Sequence, residues 1–494
     1  MNPTAVHPQY SVFQADWDTM TDCYRGERAI KERGKTYLPA TPGQQADGME
    51  VNQKGWLAYQ AYKMRARFPD FVSLAVEALL GVMHRKPAEI KLPKKMEPLL
   101  EKATIRGESL QMLLRRVNTS QLVTGRVGLL ADVPDGAPAD ILPYIATYEA
   151  RSILNWDDQL KAELLLVVLD ESQFVRKDMF EWEQVRQERV LALQDGVVQM
   201  GLFQENFDPA AMITPSIAGR TLERLPFVIV NSKDIVPDPD DPPLLGLAQL
   251  ALACYRGEAD YRQTLFMQGQ DTLVIIGGSD DEVRAGAGAH ITVGQGGDAK
   301  YIGVTSEGLS EMRLSIENDH KQADRISGQL IAASDGQAES GDALRIRVSA
   351  RTSSLNQIAL AGAEGLKTLL RTMAEWVGAN PDEIEVTPNL DFADEQLDGP
   401  TLVSFMTAKN LGAPWSKKSI HNQMRKRELT TMTYEEEMDE IEQESPEPMG
   451  GGDEVDDTEE GTPAGDTDEQ QEEEDKKRKA GQKTDRRTGK PVKE

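Results

Sequence analysis

With 494 residues, 39% hydrophobic and 28% charged, the chain is long enough for two to four cores and close to the globular norm in composition, so most of it should fold. Its net charge is -27; of the 82 acidic and 55 basic residues, 16 and 9 lie beyond residue 444, leaving 66 and 46, a balance of -20, in residues 1–444. Acidity on that scale repels phosphate and argues against a tight, salt-dependent basic grip on nucleic acid, while passing contact with DNA stays allowed.

Cys23 and Cys254 stand far apart in unlike contexts, which suits a reducing compartment with no disulfide framework, and both are expected to be buried and inert. The opening "MNPTAVHPQY" has no basic start followed by an apolar run, so no secretory signal is expected. The longest apolar stretch, "LLGLAQLALACY" (244–255), is 12 residues long and is followed by Arg256 and Glu258, too short for a bilayer and suited to a buried helix.

In chain order, Phe13, Trp17, Met20 and Tyr24 recur at helical spacing between Tyr10 and Arg33. The octapeptide "AIKERGKT" (29–36) fits a relaxed phosphate-loop pattern, but such a loop needs a buried strand before it and a helix after it. Here a charged helix precedes and Pro39 and Pro42 follow, so no nucleotide site is expected. Residues 51–84 predict two helices divided at Pro69, and 107–125 another. Between about 126 and 231 the runs "AELLLVVLDE", "FEWEQVRQERVLALQ", "VVQMGLFQE" and "PFVIVNS" predict strands, with Asp195-Gly196 as a tight hairpin turn.

"DIVPDPDDPP" (234–243) must be irregular, and Pro242 and Pro243 suit the first turn of a helix running to about Phe266. Glycine-rich residues 267–305 hold the short β pieces "TLVII", "HITV" and "KYIGV". A second long helix follows, with Leu309, Met312, Ile316, Ala323, Ile326 and Leu330 on one face. After a polar loop, "SDGQAESGD", a longer helix begins; Leu344, Ile346 and Val348 alternate as a strand would, but helix is favoured throughout. Residues 394–444 predict three shorter helices, and from Ser445 onward acidic then basic blocks with almost nothing apolar predict disorder.

Candidate chemistry is sparse. His7, His84, His290, His320 and His421 have no second ligand at metal-binding spacing, "GGSDD" lacks the last glycine of a nucleophile elbow, and the glycines of 277–297 do not form a dinucleotide fingerprint. Asp234, Asp238, Asp240 and Asp241 read as a solvated acidic turn and not a cation site. The basic helix "SKKSIHNQMRKREL" (416–429) invites comparison with a DNA-binding helix, but the acidic "YEEEMDEIEQE" behind it favours a charge-balanced bundle. No catalytic residue, cofactor or metal is expected.

The order of these elements resembles the portal (head-tail connector) proteins of tailed bacteriophages, as do "CYRGERAIKERGKTYLP", "GRVGLLADVP", "PYIATYEARSILNW", "PPLLGLAQLALACYRGEADYR" and "DALRIRVSARTSSL", over about residues 5–445. The resemblance implies an α+β portal-like fold: a β-rich wing (1–240), first stem helix (241–266), β clip module (267–305), second stem helix (306–333), tunnel loop (334–342), long bridging helix with return to the wing (343–393), helical crown (394–444) and disordered charged tail (445–494). It implies a non-enzymatic ring, usually of twelve subunits, in the virion at one capsid vertex, assembled in the host cytoplasm, with no membrane partner. The ring would pass double-stranded DNA during packaging and ejection, dock terminase and neck or tail adaptors, and meet the major capsid and scaffold proteins. Gln337, Ser340, Arg345 and Arg347 become expected DNA-channel residues, and Leu309, Met312, Ile316 and Ile326 expected subunit-packing residues. The competing reading is a DNA-binding head-assembly adaptor that uses 416–429.

Overall fold

Pro8 at the first turn and the His7 Nδ1 that accepts from the Gln9 N–H at 3.3 Å open the first helix, α1 (Pro8–Arg25). Gly26, at φ 82°, breaks it from α2 (Glu27–Arg33), so the single stripe expected over 10–33 is two helices. Residues 34–36 form one 3₁₀ turn directly after α2, with no strand in front, which leaves Lys35 without a phosphate cradle. The helices α3 (Pro42–Ala46), α4 (Lys54–Arg65) and α5 (Phe71–Met83) follow, α4 and α5 divided around Pro69. A short strand β1 (Glu89–Lys91) precedes α6 (Leu110–Thr124), which Ser109 caps through the Met112 N–H and Gly125 ends at φ 74°.

The computed structural model describes residues 4–134, 141–157, 164–204, 206–217, 219–269, 272–276, 296–302, 308–331, 341–390, 392, 407, 409, 411, 415–426, 430 and 432–444. The "HITV" piece, the polar loop through residue 340, most of 393–414 and the tail from 445 lie outside the described residues. Two units divide the chain, residues 1–394 and 395–494.

Two antiparallel sheets occupy the middle of the first unit. One pairs β2 (Arg126–Asp132) with β3 (Tyr144–Glu149) on one side and, from further along the chain, β10 (Phe227–Asn231) on the other. The second has the order β4 (Ile153–Asp157), β5 (Leu166–Asp170), β8 (Glu188–Gln194), β9 (Val197–Phe203). Between β5 and β8 the chain runs out and back as β6 (Gln173–Arg176) and β7 (Trp182–Val185). The β8–β9 turn is the expected one: Asp195 and Gly196 take φ 51° and 76°.

An ion cluster joins the sheets. Arg189 of β8 reaches Asp132 of β2 at 3.1 Å and Glu171 at 2.6 Å, while Tyr144 donates to Asp132 at 2.9 Å and Tyr148 donates to Glu171. Both carboxylates raise the pKa of Arg189, and burial with Asp132 beside it pushes Tyr144 up to about 12.

Beyond the proline-rich segment come α7 (Leu245–Gln268), β11 (Thr272–Ile276) paired antiparallel with β12 (Asp298–Ile302), α8 (Leu309–Ile331) and α9 (Gly341–Val377). The prolines at 242 and 243 lie ahead of the first turn of α7, which starts after Leu244. The long helix expected from 343 starts at Gly341, so the strand-like alternation of 344–348 lies on helix. A last strand, β13 (Glu385–Thr387), pairs with β1. The second unit holds α10 (Lys417–Lys426) and α11 (Tyr434–Glu444).

Two hydrophobic cores result. The first joins both sheets, α6 and the later part of α9, from Ala363 to Val377. The second joins α1, α2, α4, α5 and α7 to Ala323 of α8 and to Leu355, Ile358 and Ala359 of α9. Three helices, α1, α6 and α9, thus contribute to both. Where α9 crosses β10 it comes so close that a Cβ on Gly365 would stand 2.3 Å from Val230 Cγ2. A chain of buried polar groups is bonded at this junction: the Gln121 amide donates to the carbonyls of Asn231 (2.6 Å) and Ile358 (3.2 Å), Asn118 donates to Gln121, and Asn118 Oδ1 meets His84 Nε2 at 2.9 Å. The fold is α+β, and among the described residues no helix is long and apolar enough to cross a membrane.

Candidate functional site

The segment most unlike an ordinary core is the helix pair α7–α8 with β11–β12 between. At ~1.5 Å per residue, the 24 residues of α7 and 23 of α8 make rods of about 36 and 34 Å. The first half of α7 is apolar on several sides, and Leu247, Ala248, Ala251, Leu252, Tyr255 and Ala259 are all buried in the helical core. Further along, polar groups hold its flank: Tyr62 donates to Asp260 at 2.5 Å, Arg65 donates to Gln263 at 2.7 Å, and the Arg65 guanidinium lies 3.6 Å from the Phe266 ring centre. The last turn leaves Leu265, Phe266 and Met267 exposed.

Ile316 of α8 packs against Gly257 of α7, where a Cβ would meet Ile316 Cγ1 at 3.4 Å, an ordinary van der Waals contact. Ile316 and Ala323 are buried, and Ile326 is half-buried against the helical core. His320 meets the Phe71 ring edge-on at 5.1 Å. The outward side of the pair carries a shallow groove of about 500 Å³ lined by Glu258, Tyr261, Arg313, Glu317 and Lys321, with Arg313 paired to Glu317 at 2.9 Å.

The expected packing residues therefore part company. Ile316 and Ile326 face their own chain, Leu309 is half-buried, and Met312 remains 36% exposed. Leu314, not singled out in the sequence, is 50% exposed and is the most exposed large apolar residue of α8 among the described ones. Its signal was available: it breaks the three-four spacing and so had to point away from Ile316. Of the expected channel residues, Gln337 and Ser340 lie outside the described residues, and Arg345 and Arg347 fall in the first turns of α9.

Other candidates resolve simply. Asp234, Asp238 and Asp241 are exposed as a solvated turn would be, but the turn is wound on Asn231, whose amide donates to the carbonyls of Val236 (2.6 Å) and Asp238 (2.7 Å), while Asp240 accepts from Ser232 at 3.2 Å. No group of three or more potential metal ligands exists among the described residues. Burial pushes the thiols of Cys23 and Cys254 up to about 12, which makes both unreactive. In the second unit, basic α10 lies on acidic α11: Lys418 is 3.4 Å from Glu435 and 5.8 Å from the Tyr434 ring centre, and His421 is 3.6 Å from Glu437. The charge balance expected there is present.

Residues 243–377, from just before α7 to the last residue of α9, match a family described as a domain of unknown function (DUF4055). No protein of curated function matches the chain. Among solved structures, the chain is similar to a protein in the neck of a native GTA particle computed with C12 symmetry, at 13% identity and a TM-score of 0.34, covering 70% of this chain and 88% of that one. It is also similar to one in the neck of an empty GTA particle computed with C6 symmetry, at 15% identity and a TM-score of 0.33, covering 74% and 90%.

Proposed function

We propose that the chain is the subunit of a portal ring in a tailed-phage-like particle, with a structural and conduit role and no active site of its own. Copies, twelve by the count the resemblance implies, close into a ring at one capsid vertex, in contact with the major capsid and scaffold proteins. Its bore passes double-stranded DNA during packaging and ejection. Terminase docks at the end carrying β11 and β12, and neck or tail adaptors replace it later. Assembly takes place in the host cytoplasm and the ring ends in the virion.

The observation that carries this reading is the α7–α8 pair: two long rods joined through a two-stranded β piece, one side anchored in the chain's own core while Leu314, on the face of α8 opposite Ile316, and Leu265 of α7 stay exposed. Rods of that kind pack sideways on identical rods, and a head-to-tail contact of this sort closes into a ring when its rotation divides a full turn. Leu314, with Leu309 and Met312 at the margin of the Ile316 face, is assigned to the contact between copies, while Ile316 and Ile326 hold α8 to α7 and the core behind it. Gln337, Ser340, Arg345 and Arg347 are assigned to passing DNA. A net charge of -27 per copy supports a bore in which a polyanion slides instead of sticking.

Mass photometry with end-on electron microscopy tests the reading. The expected result is a closed ring of about twelve times the 54.7 kDa chain mass, with no nucleotide hydrolysis unless terminase is added. A chain that stays monomeric at every concentration, and when released from particles, overturns it. Reversing charge at both Arg345 and Arg347 is expected to slow packaging; unchanged packaging removes their assignment.

A further inference from the structure

The outward run between β5 and β8 leaves the sheet as a bare two-stranded arm. Every residue of β6 is exposed, and so are the first three of β7. Phe174 is opposite Gln184 and Arg176 opposite Trp182, so one face of the arm carries two aromatic rings, Phe174 (66% exposed) and Trp182 (60%), with the Arg176 guanidinium 5.3 Å from the Trp182 ring centre. At the tip Phe180 is 84% and Met179 75% exposed. Soluble surfaces rarely concentrate large apolar groups in this way without a partner. The tip is also built, not slack: Asp178 Oδ1 accepts from the N–H groups of Phe180 (2.7 Å) and Glu181 (2.8 Å), and the Lys177 N–H donates to the Glu181 carbonyl at 2.9 Å. A turn ordered in advance loses little entropy on docking.

A receptor of matching chemistry lies elsewhere on the same chain. An open pocket of about 600 Å³ sits between α1, α6, β2 and β3. Its floor includes the buried apolar residues Val123 and Val127, its wall the exposed Met112, and its charged lining Arg25, Arg115 and Arg116 with one carboxylate, Glu149, which Arg151 holds at 3.4 Å. Arg115 and Arg116 have partners outside the pocket lining, Glu77 and Glu108, whereas Arg25 has none among the described residues. On the arm, Glu183 likewise has no side-chain partner among the described residues, and Glu181 is held only by Lys177 at 3.6 Å. Aromatic tip and acidic edge on one side thus answer apolar floor and basic rim on the other. Within one copy the two do not meet, since the arm is exposed and the pocket open.

We propose that the β6–β7 arm of one copy docks in the α1–α6–β3 pocket of the next, with Phe180 on the Val123/Val127 floor and Glu181 and Glu183 against Arg25 and Arg115. This rests on the ring reading above and adds to it a second contact between neighbours, remote in sequence from the helix pair. A knob on one surface and a socket on another make a heterologous contact, the kind a ring requires.

The test places a photo-cross-linking phenylalanine analogue at Phe180 in the full-length chain, assembled from a mixture of isotopically light and heavy copies. The expected product is a light-heavy cross-link from residue 180 into peptides spanning 21–25 or 112–127. A ring that forms without that cross-link, or with cross-links only elsewhere, within one copy, or to another protein in intact particles, overturns the arm proposal and leaves the ring standing. Absence of any ring from the unmodified chain overturns both. In parallel, the double variant Met179→Ser, Phe180→Ser, which alters only exposed side chains, is expected to raise the protein concentration needed for half-assembly by about tenfold or more with an unchanged melting temperature. An unchanged assembly midpoint counts against the proposal.

Discussion

Two helix pairs in this chain are held together by opposite means. The pair α7–α8 is joined by an apolar seam, with Ile316 set against Gly257 and Ala323 buried, and it extends into the helical core through Leu247, Leu252 and Tyr255. The pair α10–α11 buries little: His421 is its one buried side chain among those described, and exposed charges meet across it at Lys418–Glu435. The first pair has its inner side covered and apolar residues left over outside, which is the condition for further association. In the second, Lys418 and His421 of α10 meet Glu435 and Glu437 of α11 across the seam. An adaptor role for 416–429 would need the neighbouring α11 to come away.

The largest effect is expected from inside the first pair. Tyr255→Ala empties a fully buried aromatic site and is expected to cost ~3–5 kcal/mol, read as a lower urea midpoint. Next in size, Leu314→Asp touches the open face of α8, opposite Ile316; assembly should weaken by about tenfold or more while the monomer's urea midpoint stays where it was. Loss of monomer stability instead would mean that Leu314 belongs to the core.

A smaller effect sharpens the contrast through pH. Burial holds His84 below the usual histidine range of 6.5, against a partial upward pull from its hydrogen bond with Asn118. Above 6.5 both folded and unfolded states carry it neutral and its contribution is complete; as pH falls below 6.5 the unfolded state takes up the proton first, and stability declines until the folded pKa is passed. The urea midpoints of wild type and His84→Gln should therefore draw closer between pH 7 and pH 5. Parallel curves would show that His84 is not the group responsible.

The smallest effect belongs to the second pair. A double-mutant cycle on Lys418→Ala and Glu435→Ala should return a coupling of ~0.2–1 kcal/mol that shrinks in 1 M salt, as expected for groups 60% and 84% exposed. A coupling that salt leaves unchanged would place the pair in a drier setting than its exposure indicates.

Much of this architecture was legible in the sequence wherever a local rule acts within a few residues. Asp195-Gly196 makes its turn because both positions need positive φ, and α4 and α5 divide around Pro69. The helical period found α7, α8 and α9 to within a few residues at most of their ends. Less legible was which neighbour covers which face. A period of 3.6 says that Ile316 and Ile326 share a side of α8, but not whether that side meets α7 or another copy. Likewise "FEWEQV" reads as strand material, yet nothing local distinguishes a strand that joins the sheet from one that leaves it as an arm. The Arg189–Asp132–Glu171 cluster joins residues up to 57 positions apart, beyond any spacing rule.

By itself, then, the chain's sequence determined the order of its elements, their lengths, most of their breaks and their acidity, because backbone conformation, proline and glycine sterics and apolar periodicity act over a turn or two. Tertiary structure alone decided that Ile316 is covered and Leu314 is not, that Arg126 is buried with its guanidinium 4.1 Å from the Trp156 ring centre, and that Phe180 stands in the open. Burial depends on which surfaces come together across hundreds of residues, and each apolar face has several possible partners until the whole chain has chosen one.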